Sequence, residues 1–153
     1  MHYSLPEFLA HAVALEREAE ERYIELAEML EAHANLDTAK IFRDMANFSK
    51  LHAHAISKRT QHMEILKLKS WEFRWRLPPE VGAYAQDGTD YLMTPYHALT
   101  YARDNEVRGM DSYRTVAENS QDEDVRRLGN DFADEEREHV EALDRWIATT
   151  PKP

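Results

Sequence analysis

Glu136 and His139 stand one helical turn apart in the run Glu136-Arg137-Glu138-His139, and side chains three apart on a helix share a face. A carboxylate and an imidazole so placed can ligate a metal through oxygen and nitrogen. Extending the face in both directions gives Val125, Gly129, Phe132, Glu136, His139, Leu143 and Trp146. The alternating four- and three-residue spacing is that of the inner seam of a helical bundle. A carboxylate inside an apolar stripe is costly unless a partner or a cation takes up its charge, and a metal is the simplest such partner. Because Glu is abundant in this acidic chain, the pair alone has little specificity, and the weight falls on the other helices.

Three further seams carry inward polar groups. Leu9, Ala12, Glu16, Ala19, Tyr23, Leu26 and Leu30 form one, in which Glu16 is the odd residue. Phe42, Met45, Ser49, His52 and Ile56 form the second, with Ser49 and His52 spaced as Glu136 and His139 are. An imidazole there is either a hydrogen-bonded core group or a ligand. Leu99, Ala102, Glu106, Gly109, Tyr113 and Val116 form the third, and Glu106 is its single inward charge. Glu18, Glu20 and Glu21 fall off their seam and read as a solvated face. His54 and His97 point away from theirs.

The elements that must position these residues are legible from caps and breakers. Ser4-Leu5-Pro6-Glu7 predicts a helix start with a capping box, and that helix runs to about His33. Asn35 to Asp37 supplies a turn, and a second helix follows from Thr38 to about Lys67. Between about Ser70 and Met93 the helical period fails, with Pro78, Pro79, Gly82 and Gly88 as breakers among several aromatics. This segment predicts one long crossover, lying along the bundle or in a subunit interface. Thr94-Pro95 opens the third helix, and Ser120-Gln121-Asp122-Glu123 opens the fourth with a second capping-box pattern, ending near Thr149. The expectation is an all-α protein: an antiparallel four-helix bundle with one long crossover between the second and third helices.

Composition agrees. The 153 residues, with four Gly, 31% charged and 42% hydrophobic, suit a single helical domain spanning 1–153. The absence of cysteine excludes disulfides, thiolate nucleophiles and cysteine-held zinc or iron-sulfur centres, so a metal must use nitrogen and oxygen. A formal net charge of -10 argues against a nucleic-acid partner despite a basic patch between Lys58 and Arg76. No apolar run approaches the roughly 18 residues of a membrane span, and no basic and apolar leader opens the chain. A cytoplasmic protein without a membrane partner is expected.

The two halves of the chain repeat each other. Glu16-x-x-Ala19-x-x-x-Tyr23 matches Glu106-x-x-Gly109-x-x-x-Tyr113, and Ala46-x-x-Ser49-x-x-His52 matches Ala133-x-x-Glu136-x-x-His139. Seam carboxylates that recur at one place relative to a Tyr, an Ala and a His are not accidents of composition. With this constellation the chain resembles the ferritin-like superfamily, and within it the rubrerythrin group without the rubredoxin domain. The resemblance implies a di-iron carboxylate site with one Glu on each of two helices and Glu-x-x-His on each of the others. Glu16 and Glu106 resemble the single-Glu ligands, and His52, Glu136 and His139 resemble three of the four Glu-x-x-His ligands. Ser49 departs from the pattern, standing where the family has a bridging carboxylate, and Gly109 replaces an extra Glu that some rubrerythrins carry.

Iron is the expected metal, with manganese or zinc as alternatives. Two ions are expected, or one if Ser49 cripples the second position. Tyr23 and Tyr113 are either core tyrosines or donors to site carboxylates. The resemblance further implies an oxidoreductase acting on peroxide, or on oxygen and ferrous iron, with an external electron donor and a homodimeric assembly. A metal-binding or storage bundle without turnover, and a helical scaffold with a decayed site, are the alternatives that Ser49 favours.

Overall fold

Ser4 caps the first helix as its sequence indicates: its hydroxyl accepts the Glu7 N–H at 3.3 Å and donates to Glu7 Oε1 at 3.0 Å. In the computed structural model, which describes residues 3–59 and 93–153, helix α1 runs Leu5–Ala32. It ends in a Schellman turn, with Ala34 N–H on the Glu31 carbonyl at 3.0 Å and Asn35 N–H on the Leu30 carbonyl at 2.8 Å. Helix α2, Leu36–Arg59, begins two residues before the predicted Thr38, because the Asn35 carbonyl already accepts the Ala39 N–H at 3.1 Å. The predicted continuation to Lys67, and all of the predicted crossover but its last residue, lie outside the described residues.

Helix α3, Pro95–Asn119, starts at Thr94, whose hydroxyl accepts the His97 N–H at 3.3 Å. Helix α4, Glu123–Ala148, is capped by Asp122 and not by the expected Ser120. Asp122 Oδ1 accepts the N–H groups of Asp124 and Val125 at 2.8 and 3.3 Å, while the Ser120 hydroxyl accepts the Asp122 N–H at 3.2 Å. A charged acceptor beside the positive end of the helix dipole outcompetes a hydroxyl two residues further away.

The contacts of Met93 fix the topology. Its carbonyl accepts from Asn35 Nδ2 at 2.6 Å and from Thr38 Oγ1 at 3.0 Å, so α3 starts beside the start of α2. The 24 residues of α2 carry the chain about 36 Å to the opposite end of the bundle. Helices α2 and α3 therefore run parallel, while α1/α2 and α3/α4 are antiparallel hairpins joined by short turns. This is the ferritin-like four-helix bundle, and among the described residues every regular element is helical.

Two apolar clusters wall off the middle of the bundle. Phe8, Leu9 and Ala12 pack with Ile56, Tyr113, Val116, Val125 and Phe132 at one end. Tyr23, Leu26 and Leu30 pack with Phe42, Met45, Leu99, Tyr101 and Leu143 at the other. Between them lie the buried polar residues Glu16, Ser49, His52, Glu106 and Glu136. Gly129 lets α4 approach α3 closely: a Cβ there would stand 3.1 Å from the Tyr113 carbonyl and 3.0 Å from Ala117 Cβ.

One seam residue does not behave as expected. Trp146 is 39% exposed, and Val140 is buried in the same helix. A straight helix drifts about 20° per heptad against a strict seven-residue repeat, so the inward face of α4 moves off the predicted line towards its end.

Candidate metal centre

Glu136 lies at the middle of α4 with its side chain only 3% exposed, and each of its two oxygens faces a different imidazole. Oε1 is 3.2 Å from His52 Nδ1, which is also 2.9 Å from Glu16 Oε1. Oε2 is 3.5 Å from His139 Nδ1, which is also 3.5 Å from Glu106 Oε2. Two overlapping groups result, Glu16–His52–Glu136 and Glu106–Glu136–His139, whose donor atoms all lie within 4.8 Å of one another in each group. The imidazole rings stand 6.3 Å apart at 90°. One residue from α1, one from α2, one from α3 and two from α4 meet here, so the five residues singled out on four seams share one place.

The electrostatics are those of anions held together by protons. Burial opposes charge on His52, but Glu135, Glu136 and Glu16 together outweigh it and raise the imidazole to about 12. Glu106 and Glu136 raise His139 to about 10 against the smaller cost of its burial. Burial, and then the neighbouring Glu136 carboxylate, push Glu106 well above the ordinary carboxylate range, with His139 pulling the other way. A cation placed in either group would take over the charge balance that these protons now supply.

The expected supporting tyrosines divide. Tyr113 donates to Glu16 Oε1 at 3.1 Å, across the bundle. The Tyr23 hydroxyl instead accepts from Asn105 Nδ2 at 3.3 Å. Both phenols are raised well above their ordinary value, chiefly by burial and then by a carboxylate, Glu106 for Tyr23 and Glu16 for Tyr113, and so keep their protons. Ser49 is 4% exposed and brings no charge to the layer. Gly109 sits against Glu136, with room for a Cβ at 3.8 Å from the Glu136 carboxyl carbon.

Three contributors were not anticipated. Glu135 Oε2 lies 2.9 Å from His52 Nε2, Phe48 stacks on His139 at 6.1 Å, and Asn105 bonds Tyr23. Glu135 and Phe48 are off the seams, but the repeat pairs them: each immediately precedes the Glu136 or Ser49 position. That register was the available signal.

The residues fit a divalent ion bound through nitrogen and oxygen. Both nitrogens of His52 are buried and close to carboxylate oxygens, yet none of these contacts has hydrogen-bond angles. A buried imidazole nitrogen crowded by carboxylate oxygens without an aligned hydrogen bond is arranged as a ligand and not as a hydrogen-bonded core group.

Comparison with known proteins agrees with this geometry. A family model described as rubrerythrin matches residues 7–86, just over half of the chain. A solved structure of an uncharacterized conserved protein from Magnetospirillum magnetotacticum MS-1 is 62% identical to this chain. The match covers 99% of this chain and 98% of that one, with a TM-score of 0.75. No curated protein matches the chain.

Proposed function

The chain belongs to the rubrerythrin family, and from that premise we propose that it is a non-haem iron carboxylate protein, an oxidoreductase acting on peroxide or on oxygen and ferrous iron. Glu16, His52 and Glu136 would hold one ion, and Glu106, His139 and Glu136 the other. The observation that carries this reading is Glu136, which turns one oxygen to each group. When bound, a pair of ferrous ions would supply the two electrons that, with two protons from solvent, reduce peroxide to two waters.

The protein's own contribution is placement and exclusion. The apolar clusters at both ends keep bulk water from the polar layer. Tyr113 holds Glu16 in position and retains its proton. His139, with its side chain 36% exposed, is the part of the centre nearest solvent and gives a small oxidant its way in. An external electron donor completes the cycle, since the chain has no cysteine for an iron-sulfur centre of its own. A homodimer belongs to the same proposal, and the exposed Leu36 and Leu51 on α2 offer it apolar surface.

The test is metal analysis of purified protein, then anaerobic ferrous loading and exposure to peroxide. One firmly held iron per chain, a second held weakly for want of a carboxylate at Ser49, and rapid oxidation are expected. Tight binding without oxidation would support a second reading, a metal-binding bundle without turnover, which the missing carboxylate at Ser49 favours. A melting temperature indifferent to added metal would exclude both, because a ligand of the native state must stabilise by mass action. Light scattering at micromolar concentration tests the dimer.

A further inference from the structure

The repeat makes the two halves of the centre comparable residue by residue, and they differ at each supporting position. Behind His52 stands Glu135, whose Oε2 lies 2.9 Å from Nε2, the ring nitrogen turned away from Glu16 and Glu136. Its other oxygen is 3.5 Å from Arg59 Nη2, and that guanidinium lies over the Phe132 ring at 5.9 Å. The carboxylate is thus held from outside. In the other half the matching residue is Phe48, which stacks on His139 with an interplanar angle of 29° and offers no acceptor for an in-plane N–H.

The carboxylates follow the same division. Glu16 receives the Tyr113 hydroxyl at 3.1 Å, whereas the matching Tyr23 is engaged with Asn105. Exposure agrees: the side chain of His52 is 8% exposed and that of His139 is 36%.

We propose that the two ion positions are unequal, and that Glu135 is the positioning residue that makes the Glu16–His52–Glu136 position fill first and empty last. Glu135 stands within reach of the outer nitrogen of His52, and a carboxylate so placed, once aligned with the N–H of an imidazole seated on a cation, fixes the ring and raises its basicity, an effect typically of about 10–100-fold in metal affinity. Among the described residues, the Glu106–Glu136–His139 position has no such partner on its imidazole. It is the exchangeable position, open to solvent past Phe48. This inference rests on the metal-centre reading above and adds an order of filling to it.

Anaerobic calorimetric titration with cobalt(II), followed by the visible cobalt spectrum, tests it on the full chain and four variants. The natural protein should bind in two resolved steps. His139→Ala should lose the weak step and keep the tight one, and His52→Ala should do the reverse. Glu135→Leu, which keeps bulk but accepts no hydrogen bond, should weaken the tight step about 10–100-fold. Glu135→Gln, which retains an acceptor oxygen, should stay within a few-fold of the natural protein. A packing role alone would not separate Gln from Leu. Unchanged tight binding in Glu135→Leu, or loss of the tight step in His139→Ala, would overturn the proposal while leaving the metal centre standing. Absence of any binding by the natural protein would instead overturn the metal centre, and this proposal with it.

Discussion

The Tyr113 hydroxyl reaches from α3 to Glu16 on α1 at 3.1 Å, and so ties the α3/α4 hairpin to the α1/α2 hairpin. Tyr23, its counterpart in the repeat, makes its bond at 3.3 Å to the neutral amide of Asn105. The chemistry of the acceptor and donor sets the expected difference. Tyr113→Phe leaves a buried carboxylate short of a donor and should cost about 1.5–3 kcal/mol, whereas Tyr23→Phe removes a neutral pair worth about 0.5–1.5 kcal/mol. Urea unfolding of the metal-free variants measures both. A larger loss in Tyr23→Phe would show that the hydrogen bond to Glu16 is not the stronger tie.

Protons and a metal held by this cluster would compete for the same atoms, which would give opposite pH dependences to the two forms. In the metal-free protein His52 is raised to about 12 and His139 to about 10, both above their unfolded value of 6.5. Between those limits the folded chain binds more protons than the unfolded chain, so stability falls as pH rises. The contribution is complete below about 6.5 and is lost as the pH passes through about 10 and then about 12. Glu106, raised by burial and by Glu136, acts in the same direction from a lower starting point. Metal binding must release these protons, so affinity should rise over the same range. Melting temperatures of metal-free and zinc-loaded protein from about pH 6.5 to about pH 9 should therefore diverge. Parallel curves would mean that the imidazole protons are not what the metal displaces.

How much of this was legible in the sequence depends on the kind of signal. Glu16, His52, Glu106, Glu136 and His139 could be picked out because a charge or imidazole on an apolar seam is conspicuous. Their convergence followed from the bundle. The helix starts at Ser4 and Thr94 were equally plain, since Ser or Thr followed by Pro within the first turn has few other uses. Asp122 was missed in favour of Ser120 because two candidate caps stood two residues apart and only the geometry of the turn decides between them. Glu135 was missed for a different reason. It sits in a run of acidic residues on a largely solvated face, and nothing local distinguishes the one that bends back to His52. Trp146 was misplaced by the slow drift of a helix against a seven-residue count.

The glycines of the seams predict opposite responses to one substitution. At Gly129 a Cβ would meet the Tyr113 carbonyl at 3.1 Å and Ala117 Cβ at 3.0 Å, and helix backbone gives way poorly. Overpacking of about 1–3 kcal/mol there should exceed the gain of about 1 kcal/mol from better helix propensity, so Gly129→Ala destabilises. At Gly109 the nearest atom is the Glu136 carboxyl carbon at 3.8 Å, an ordinary contact. Gly109→Ala should therefore stabilise by up to about 1 kcal/mol. Chemical denaturation of the two variants checks the sign of each.

Ser49 gives the sharpest test of the centre as a whole. The repeat sets it opposite Glu136 in register, and it lies buried in the same polar layer, but it brings a hydroxyl where Glu136 brings a carboxylate. Ser49→Glu adds one anion to Glu16, Glu106 and Glu136. Without metal that anion is a burden: a longer side chain in a space sized for a hydroxyl, and a further buried charge, should lower stability by about 1–3 kcal/mol. With metal the sign reverses, because the added carboxylate neutralises charge that the natural ligand set leaves over. The variant should therefore melt below the natural protein when metal-free, gain more from added ferrous ion, hold more iron per chain and oxidise faster in a single turnover with peroxide. Circular dichroism establishes that the variant is folded, and iron content and oxidation rate are then compared directly. A folded variant that holds no more iron than the natural protein would show that the layer is not a di-metal site short of one ligand. The Glu and His residues at its centre would then need a single-ion geometry or a purely structural explanation.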